Sequence, residues 1–401
     1  MKRIDGGVTA PKGFRASGVA AGVKPGSTKN DCALVASDFP ATVAGVFTKN
    51  VMKAPPIVWD AEVCKKGTAR AVFTNSGNAN ACTGERGYAD AKATAERVAH
   101  GLRIDTDEVC VCSTGVIGVP LPMDRINKGV DGCLGALSST GSDDAARAIM
   151  TTDTVPKALA IEIPLDEGSI RLGAIAKGSG MIAPNMATMI CIITTDAAIK
   201  AGPLKSLLHE AVNTSFNQIC VDNDMSTSDI VVCLANGCSG AAHLTPGTDN
   251  YARFAEAFKA LCVEMAQWLV RDGEGATKFV EIAVEGAHND DDAKTIARTI
   301  AQSQLCKTAF FGQDPNWGRF ACAAGYSGVT FEPDAVSIWL NDIQLMQDGA
   351  AAPYKEADAA AAMKEREFRI RVSVGRGSGS AVFWTSDLSH DYVSINADYR
   401  S

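Results

Sequence analysis

The sequence predicts an α/β fold, and three observations carry that prediction. Short apolar runs alternate with amphipathic stretches of helical spacing along the whole of its 401 residues. Apolar residues make up 46% of the chain, enough to bury two sizeable cores or one large multilayered core. No internal repeat or low-complexity linker interrupts the alternation.

Taken in order, the apolar runs Ala41 to Phe47 and Ala69 to Phe73, set between Gly/Asn/Ser turns, read as strands, and Tyr88 to Leu102 reads as a helix. Ile170 to Ala176 and Met189 to Ile193 read as two strands separated by the irregular segment Gly-Ser-Gly-Met-Ile-Ala-Pro-Asn, which sets Thr188 at the start of the second. Pro203 suits a first helical position, and Leu204, Leu207, Leu208, Ala211 and Val212 follow at helical spacing. From Tyr251 to Val270, Phe254, Phe258, Leu261, Met265, Trp268 and Leu269 form one apolar helix face. A strand from Phe279 to Val284 comes next, then a helix from about Asp291 to Gln302 opened by acidic residues that suit its N-terminal dipole. Beyond an Ala-rich, charged stretch from Asp348 to Lys364, the strands Phe368 to Val374 and Ala381 to Trp384 are joined by a Gly/Ser sequence that reads as a hairpin turn. A soft boundary near Asp314 would set off a smaller C-terminal α/β unit.

Composition excludes several function classes. A net charge of -8, with no long run of like charges, argues against nucleic-acid partners and for small substrates. The 13 Cys are odd in number and form no Cys-x-x-Cys pair, and the N-terminal Met-Lys-Arg-Ile-Asp-Gly-Gly lacks a signal peptide's apolar stretch. A reduced, cytoplasmic protein is expected. The apolar runs are far shorter than the roughly 18 to 20 residues of a membrane span. None of the five His pairs with Cys, Asp or Glu at zinc-ligand spacing, so no metal is expected.

A threonine hydroxyl becomes a useful nucleophile when a base takes its proton, and one compact base is the residue's own α-amine, freed by cleavage of the preceding peptide bond. That amine titrates at about 7.7 to 8, close to neutral pH, whereas an ordinary lysine at about 10.4 stays protonated. In Lys177-Gly-Ser-Gly-Met-Ile-Ala-Pro-Asn-Met-Ala-Thr188 the glycines and Pro184 shape a tight approach to a strand. Taken alone, such a stretch is more often a turn feeding a buried strand.

Ordered motifs across the chain change the balance. Before Thr188 stand Thr9-Ala-Pro-Lys-Gly-Phe14, Val46-Phe-Thr-Lys-Asn50, Asn75-Ser-Gly-Asn-Ala-Asn80, Ser113-Thr-Gly-Val-Ile-Gly118 and Met150-Thr-Thr-Asp-Thr154. After it come Ser215-Phe-Asn217, Asp224-Met-Ser-Thr-Ser-Asp229, Arg271-Asp-Gly-Glu-Gly-Ala-Thr-Lys-Phe279, Asp314-Pro-Asn-Trp-Gly-Arg319 and Ile395-Asn-Ala-Asp-Tyr-Arg400. In these motifs the chain resembles the ornithine acetyltransferase family from Gly7 to the C-terminus.

The resemblance implies a layered, stacked-sheet fold like that of N-terminal-nucleophile enzymes. It implies self-cleavage between Ala187 and Thr188 into chains 1–187 and 188–401, assembled as two copies of each, with Thr188 as nucleophile. It assigns the oxyanion hole to Thr114 and Gly115, and substrate binding to Thr151, Lys177, Thr188, Glu274, Asn396 and Ser401, the last a Thr in many relatives. The implied reaction moves an acetyl group from N2-acetylornithine to glutamate through an acetyl-enzyme, with no metal or organic cofactor; acetyl-CoA is a second donor for some members. Two other readings share the same residues. An autoprocessed amidase or aminopeptidase would resolve the acyl-enzyme with water, and a silent binding protein for acetylated amino acids would leave the chain uncut.

Other motifs read as structure. Asn75 to Asn80 and Gly178 to Gly180 give no phosphate-cradling pattern, and Arg376-Gly-Ser-Gly-Ser-Ala381 fits the R-x-x-G-x-A motif of a different acetyltransferase superfamily but is followed by a strand in place of a helix. Asp314 to Arg319 suits a corner carrying a half-buried Trp317 as well as it suits ligand contact.

Overall fold

Two sheets, each with its own helices and core, organise the chain in a computed structural model that describes residues 1–183 and 189–398. One compact unit comprises Met1–Gly178, Asn185–Asn217 and Met225–Ala266, and the other Ser179–Pro184, Gln218–Asp224 and Gln267–Ser401.

The first unit carries strands β1 (Lys2–Ile4), β2 (Phe14–Val19), β3 (Cys32–Phe47), β4 (Thr68–Asn78) and β5 (Val109–Val116). They are followed by β6 (Lys157–Pro164), β7 (Ser169–Lys177) and β8 (Ile190–Thr195). The second unit contributes the short β9 (Ile219–Cys220), and β10 (Ile230–Ala235) returns to the first. The first sheet runs β1-β6-β7-β8-β10-β3-β4-β5, with β2 also paired to β3. Its central strands are continuous apolar runs because both faces are covered; all six residues of β8 and of β10 are buried. Helices α1 (Pro55–Lys66), α2 (Gly84–Leu102), α3 (Met123–Ala136), α4 (Ser142–Ala148) and α5 (Ala201–Asn213) belong to this unit.

Helix α6 (Asp249–Arg271) leads into the second unit, whose remaining strands are β11 (Phe279–Ala287), β12 (Ser337–Leu340), β13 (Ile343–Gln347), β14 (Ala350–Ala351), β15 (Glu367–Ser373) and β16 (Gly379–Ser386). Their order is β14-β13-β12-β15-β11-β16-β9. Helices α7 (Asp290–Gln302), α8 (Gln304–Phe311), α9 (Trp317–Gly325), α10 (Glu356–Lys364) and α11 (His390–Ala397) complete it. The α7 start follows the expected chemistry: Asn289 accepts the Asp292 N–H at 2.9 Å, and Asp290, Asp291 and Asp292 fill the first turn.

Three expectations are corrected. The second unit's main block begins at Gln267, well before Asp314, because β11 is the strand between β15 and β16 and cannot be separated from them. For the same reason β15 and β16 form no hairpin: β11 lies between them, parallel to the first and antiparallel to the second. The Gly/Ser connection therefore passes over the end of β11, so closely that a Cβ at Gly377 would lie 1.9 Å from the Ala287 carbonyl oxygen. Finally, α5 starts at Ala201, two residues before Pro203. A proline there is tolerated because the first turn's N–H groups have no partners within the helix.

Candidate active site

The oxyanion candidates stand at the end of β5, where it pairs with β4 through Asn75, Ser76 and Gly77. This end is held by amide side chains: Ser113 Oγ donates to Asn75 Oδ1 at 2.7 Å, Asn75 Nδ2 to Asn78 O at 2.8 Å, and Asn78 Oδ1 accepts from Asn80 N at 2.8 Å. The Asn75 to Asn80 motif is thus the scaffold behind Thr114, but as the end of strand β4 and not as the turn its glycine and asparagines suggest, because Asn75 to Asn78 pair with β5. Gly115 has φ +131°, and a Cβ there would lie 2.4 Å from the Gly77 carbonyl carbon. Only glycine lets the two strands approach so closely at that dihedral angle.

Lys177, the last residue of β7, is buried, and its ammonium donates to Thr114 Oγ1 at 3.3 Å. β7 and β5 are five steps apart in the sheet order, roughly 24 Å if the sheet were flat, so the sheet must curl to bring them together. The consequence for Thr114 is chemical. Its oxygen accepts from lysine, so its own O–H is left to donate.

Behind Lys177 sits a charged cluster that sequence reasoning did not single out. The buried Asp153 accepts from Lys157 Nζ at 2.7 Å and from Gly178 N at 2.7 Å through Oδ1, and from Thr151 N at 3.0 Å through Oδ2. Burial alone would raise this carboxyl, but the Lys177 and Lys157 ammoniums and the Gly178 N–H outweigh it and hold it below the usual carboxylate range. Thr151 and Lys177 are thereby tied, through one carboxylate, to the same piece of backbone. Asp153 lies inside the Met150 to Thr154 motif, but nothing in its spacing says that it is buried.

In the second unit, Glu274 follows α6, and its N–H donates to Ser179 O at 2.8 Å. Its carboxylate accepts from Asn396 Nδ2 at 2.8 Å, and a Cβ at Gly180 would lie 2.3 Å from its carboxyl carbon. Gly180 is the residue that leaves room for Glu274. Asp222 fixes the same segment: its two oxygens accept from Met181 N and Ile182 N at 2.6 and 2.7 Å, and burial pushes its carboxyl up to about 6. Asp314 to Arg319 proves to be a helix start, where Asn316 Oδ1 accepts from Arg319 N at 3.3 Å and caps α9, with Trp317 partly buried against the core.

The structure thus pairs Lys177 with Thr114 and Glu274 with Asn396, and links Thr151 to Lys177 through Asp153. Ala187, Thr188 and Ser401 lie outside the described residues. Among the described residues no group of three or more His, Cys, Asp or Glu could hold a metal ion, and no helix is long and apolar enough to cross a membrane.

The family model described as ArgJ family matches residues 15–401. The chain is 48% identical to the arginine biosynthesis bifunctional protein ArgJ of Symbiobacterium thermophilum, over 100% of both chains. It is similar to the crystal structure of arginine biosynthesis bifunctional protein ArgJ from Bacillus halodurans, with 41% identity, 52% of this chain and 98% of that one covered, and a TM-score of 0.51. A structure of ornithine acetyltransferase complexed with ornithine from Mycobacterium tuberculosis shares 47% identity over 46% of this chain and 97% of that one, with a TM-score of 0.43.

Proposed function

The chain belongs to the ArgJ family, and from that membership we propose that it transfers the acetyl group of N2-acetyl-L-ornithine to L-glutamate after cutting itself at Ala187-Thr188. Thr188 Oγ attacks the acetyl carbonyl carbon, and the freed α-amine of Thr188 takes the hydroxyl proton. The Thr114 hydroxyl and the Gly115 N–H receive the developing negative oxygen. The tetrahedral intermediate expels ornithine, whose nitrogen takes the proton from the amine. Glutamate nitrogen then attacks the acetyl-threonine ester, the amine again carries the proton, and N-acetylglutamate leaves with the hydroxyl restored.

The observation that carries this reading is the 3.3 Å contact from Lys177 Nζ to Thr114 Oγ1. It orients a hydroxyl as donor, and it sets a buried cation where a developing oxyanion or a substrate carboxylate would be stabilised. Thr151, Glu274, Asn396 and Ser401 complete the proposed substrate contacts, with Glu274 for an ammonium of ornithine. The half-length of the matched Bacillus halodurans chain supports the cut: 98% of it covers 52% of this chain, about the size that cleavage before Thr188 would give. Two copies of each fragment are the proposed assembly, acetyl-CoA a proposed second donor, and the cytoplasm the proposed location, the last supported by cysteines that are all unpaired in the structure.

The test is an assay of the purified protein with N2-acetylornithine, with and without glutamate. Ornithine release that requires glutamate and yields N-acetylglutamate in equal amount is expected, and replacing the donor with acetyl-CoA tests the second activity. Acetate release that outpaces transfer would contradict the reading in favour of a hydrolase.

A further inference from the structure

The first unit holds a buried carboxylate that acetyl transfer leaves unused. Asp229 immediately precedes β10 and is 0% exposed. β10 and β8 run parallel with Ile230 beside Ile190, which sets Asp229 beside Met189. Met189 N–H donates to Asp229 Oδ1 at 3.0 Å, and that nitrogen is the one bonded to the carbonyl carbon of Thr188. The second oxygen, Oδ2, is buried and has no hydrogen-bond partner among the described residues. The Thr48 hydroxyl nearby spends its proton on Ser226 O at 2.8 Å. Leaving a buried carboxylate oxygen without a donor costs free energy. A mere anchor for Met189 would not require it, since an asparagine oxygen accepts one N–H equally well.

Self-cleavage poses a problem that the finished enzyme does not have. In transfer the Thr188 α-amine is the base, but before the cut that nitrogen is the amide being broken, with no lone pair to take a proton. Some other group must remove the hydroxyl proton, and the departing nitrogen must gain one.

Resting on the reading that the chain cuts itself at Ala187-Thr188, we infer that Asp229 carries the proton through that cut. As carboxylate it takes the proton of Thr188 Oγ while Oγ bonds to the Ala187 carbonyl carbon. As carboxylic acid it gives that proton to the Thr188 nitrogen as the carbon–nitrogen bond breaks. The product is an ester of Ala187 on Thr188 Oγ, with a free α-amine. Water, deprotonated by this amine, hydrolyses the ester to the Ala187 carboxylate and the Thr188 hydroxyl, and Asp229 ends ionised as it began. Burial pushes the Asp229 carboxyl well above its ordinary range, against the opposing pull of the Met189 N–H and the Lys177 ammonium. A carboxyl raised above its ordinary range holds its proton more readily, which suits a group that must act first as base and then as acid.

The experiment compares full-length wild type, Asp229→Asn, Asp229→Glu and Thr188→Ala by denatured intact mass at harvest and during incubation, with a thermal melt of each. Asn keeps an acceptor for Met189 N–H but cannot carry the proton. It is expected to slow cleavage about a hundredfold or more, within the usual contribution of a proton-transfer group, while melting close to the uncut Thr188→Ala chain. Glu, which restores the carboxyl, is expected to recover part of the cutting. An Asn variant cut as completely as wild type at harvest overturns the inference. Should Asn unfold the chain, Glu decides: a folded Glu variant that cuts sustains the assignment, and a folded one that never cuts overturns it. A whole wild-type chain would overturn the cut and this inference with it, whereas a cut wild type beside a cut Asn variant overturns only the inference.

Discussion

Thr114 can serve an oxyanion only if its hydroxyl proton is not already spent, and the Lys177 ammonium secures this by donating to the oxygen from the other side. Thr114→Val keeps the side-chain shape and loses the donor. It is expected to lower kcat about a hundred- to a thousandfold with little change in KM, the usual consequence of losing one oxyanion-hole donor. Steady-state kinetics on the cleaved protein checks this; an unchanged kcat would remove Thr114 from the proposed machinery. At this scale the resemblance supplied Thr114 and Lys177, but their partners were illegible. Asp153 and Asp229 both sit inside quoted motifs, yet their use depends on burial and on backbone N–H groups far along the chain, Gly178 N for one and Met189 N for the other. Neither burial nor such a long-range contact leaves a periodic signal in sequence.

Elements were legible where a local pattern decides them. The apolar face of Tyr251 to Val270 is recovered as α6, and the acidic opening of α7 as its capped first turn. Pairing between distant strands was not legible. The Gly/Ser stretch between β15 and β16 has hairpin chemistry, but β11, formed some eighty residues earlier in the chain, takes the place between them. The glycines then serve a different purpose, close passage over the end of β11. Gly377→Ala would drive its Cβ into the Ala287 carbonyl oxygen, now 1.9 Å from where that atom would stand. A loss of about 1–3 kcal/mol is expected, the range for forced overpacking. Chemical denaturation of the variant measures it, and a stability equal to wild type would mean that the connection shifts freely.

For the whole molecule, the two compact units do not coincide with the two chains that cleavage would give. Residues 188–401 take their early part, including β8 and β10, from the first unit and the remainder from the second, while Ser179–Ala183 of the other fragment belong to the second. Each fragment would therefore share a core with the other: β8 pairs with β7 across the proposed cut, in a register from Leu172 and Thr195 to Lys177 and Ile190. Separated fragments would expose a strand edge of unpaired backbone groups, so cleaved chains should remain associated. The sequence boundary near Asp314 missed this because compactness is set by sheet pairing, which composition along the chain does not record.

Acetyl transfer by Thr188 depends first on a free α-amine at that residue. Denatured intact mass of purified wild type beside Thr188→Ala measures that directly. Two wild-type fragments meeting between Ala187 and Thr188 are expected, beside one full-length Thr188→Ala chain. Two full-length masses would leave Thr188 without its base and contradict the mechanism at its first step.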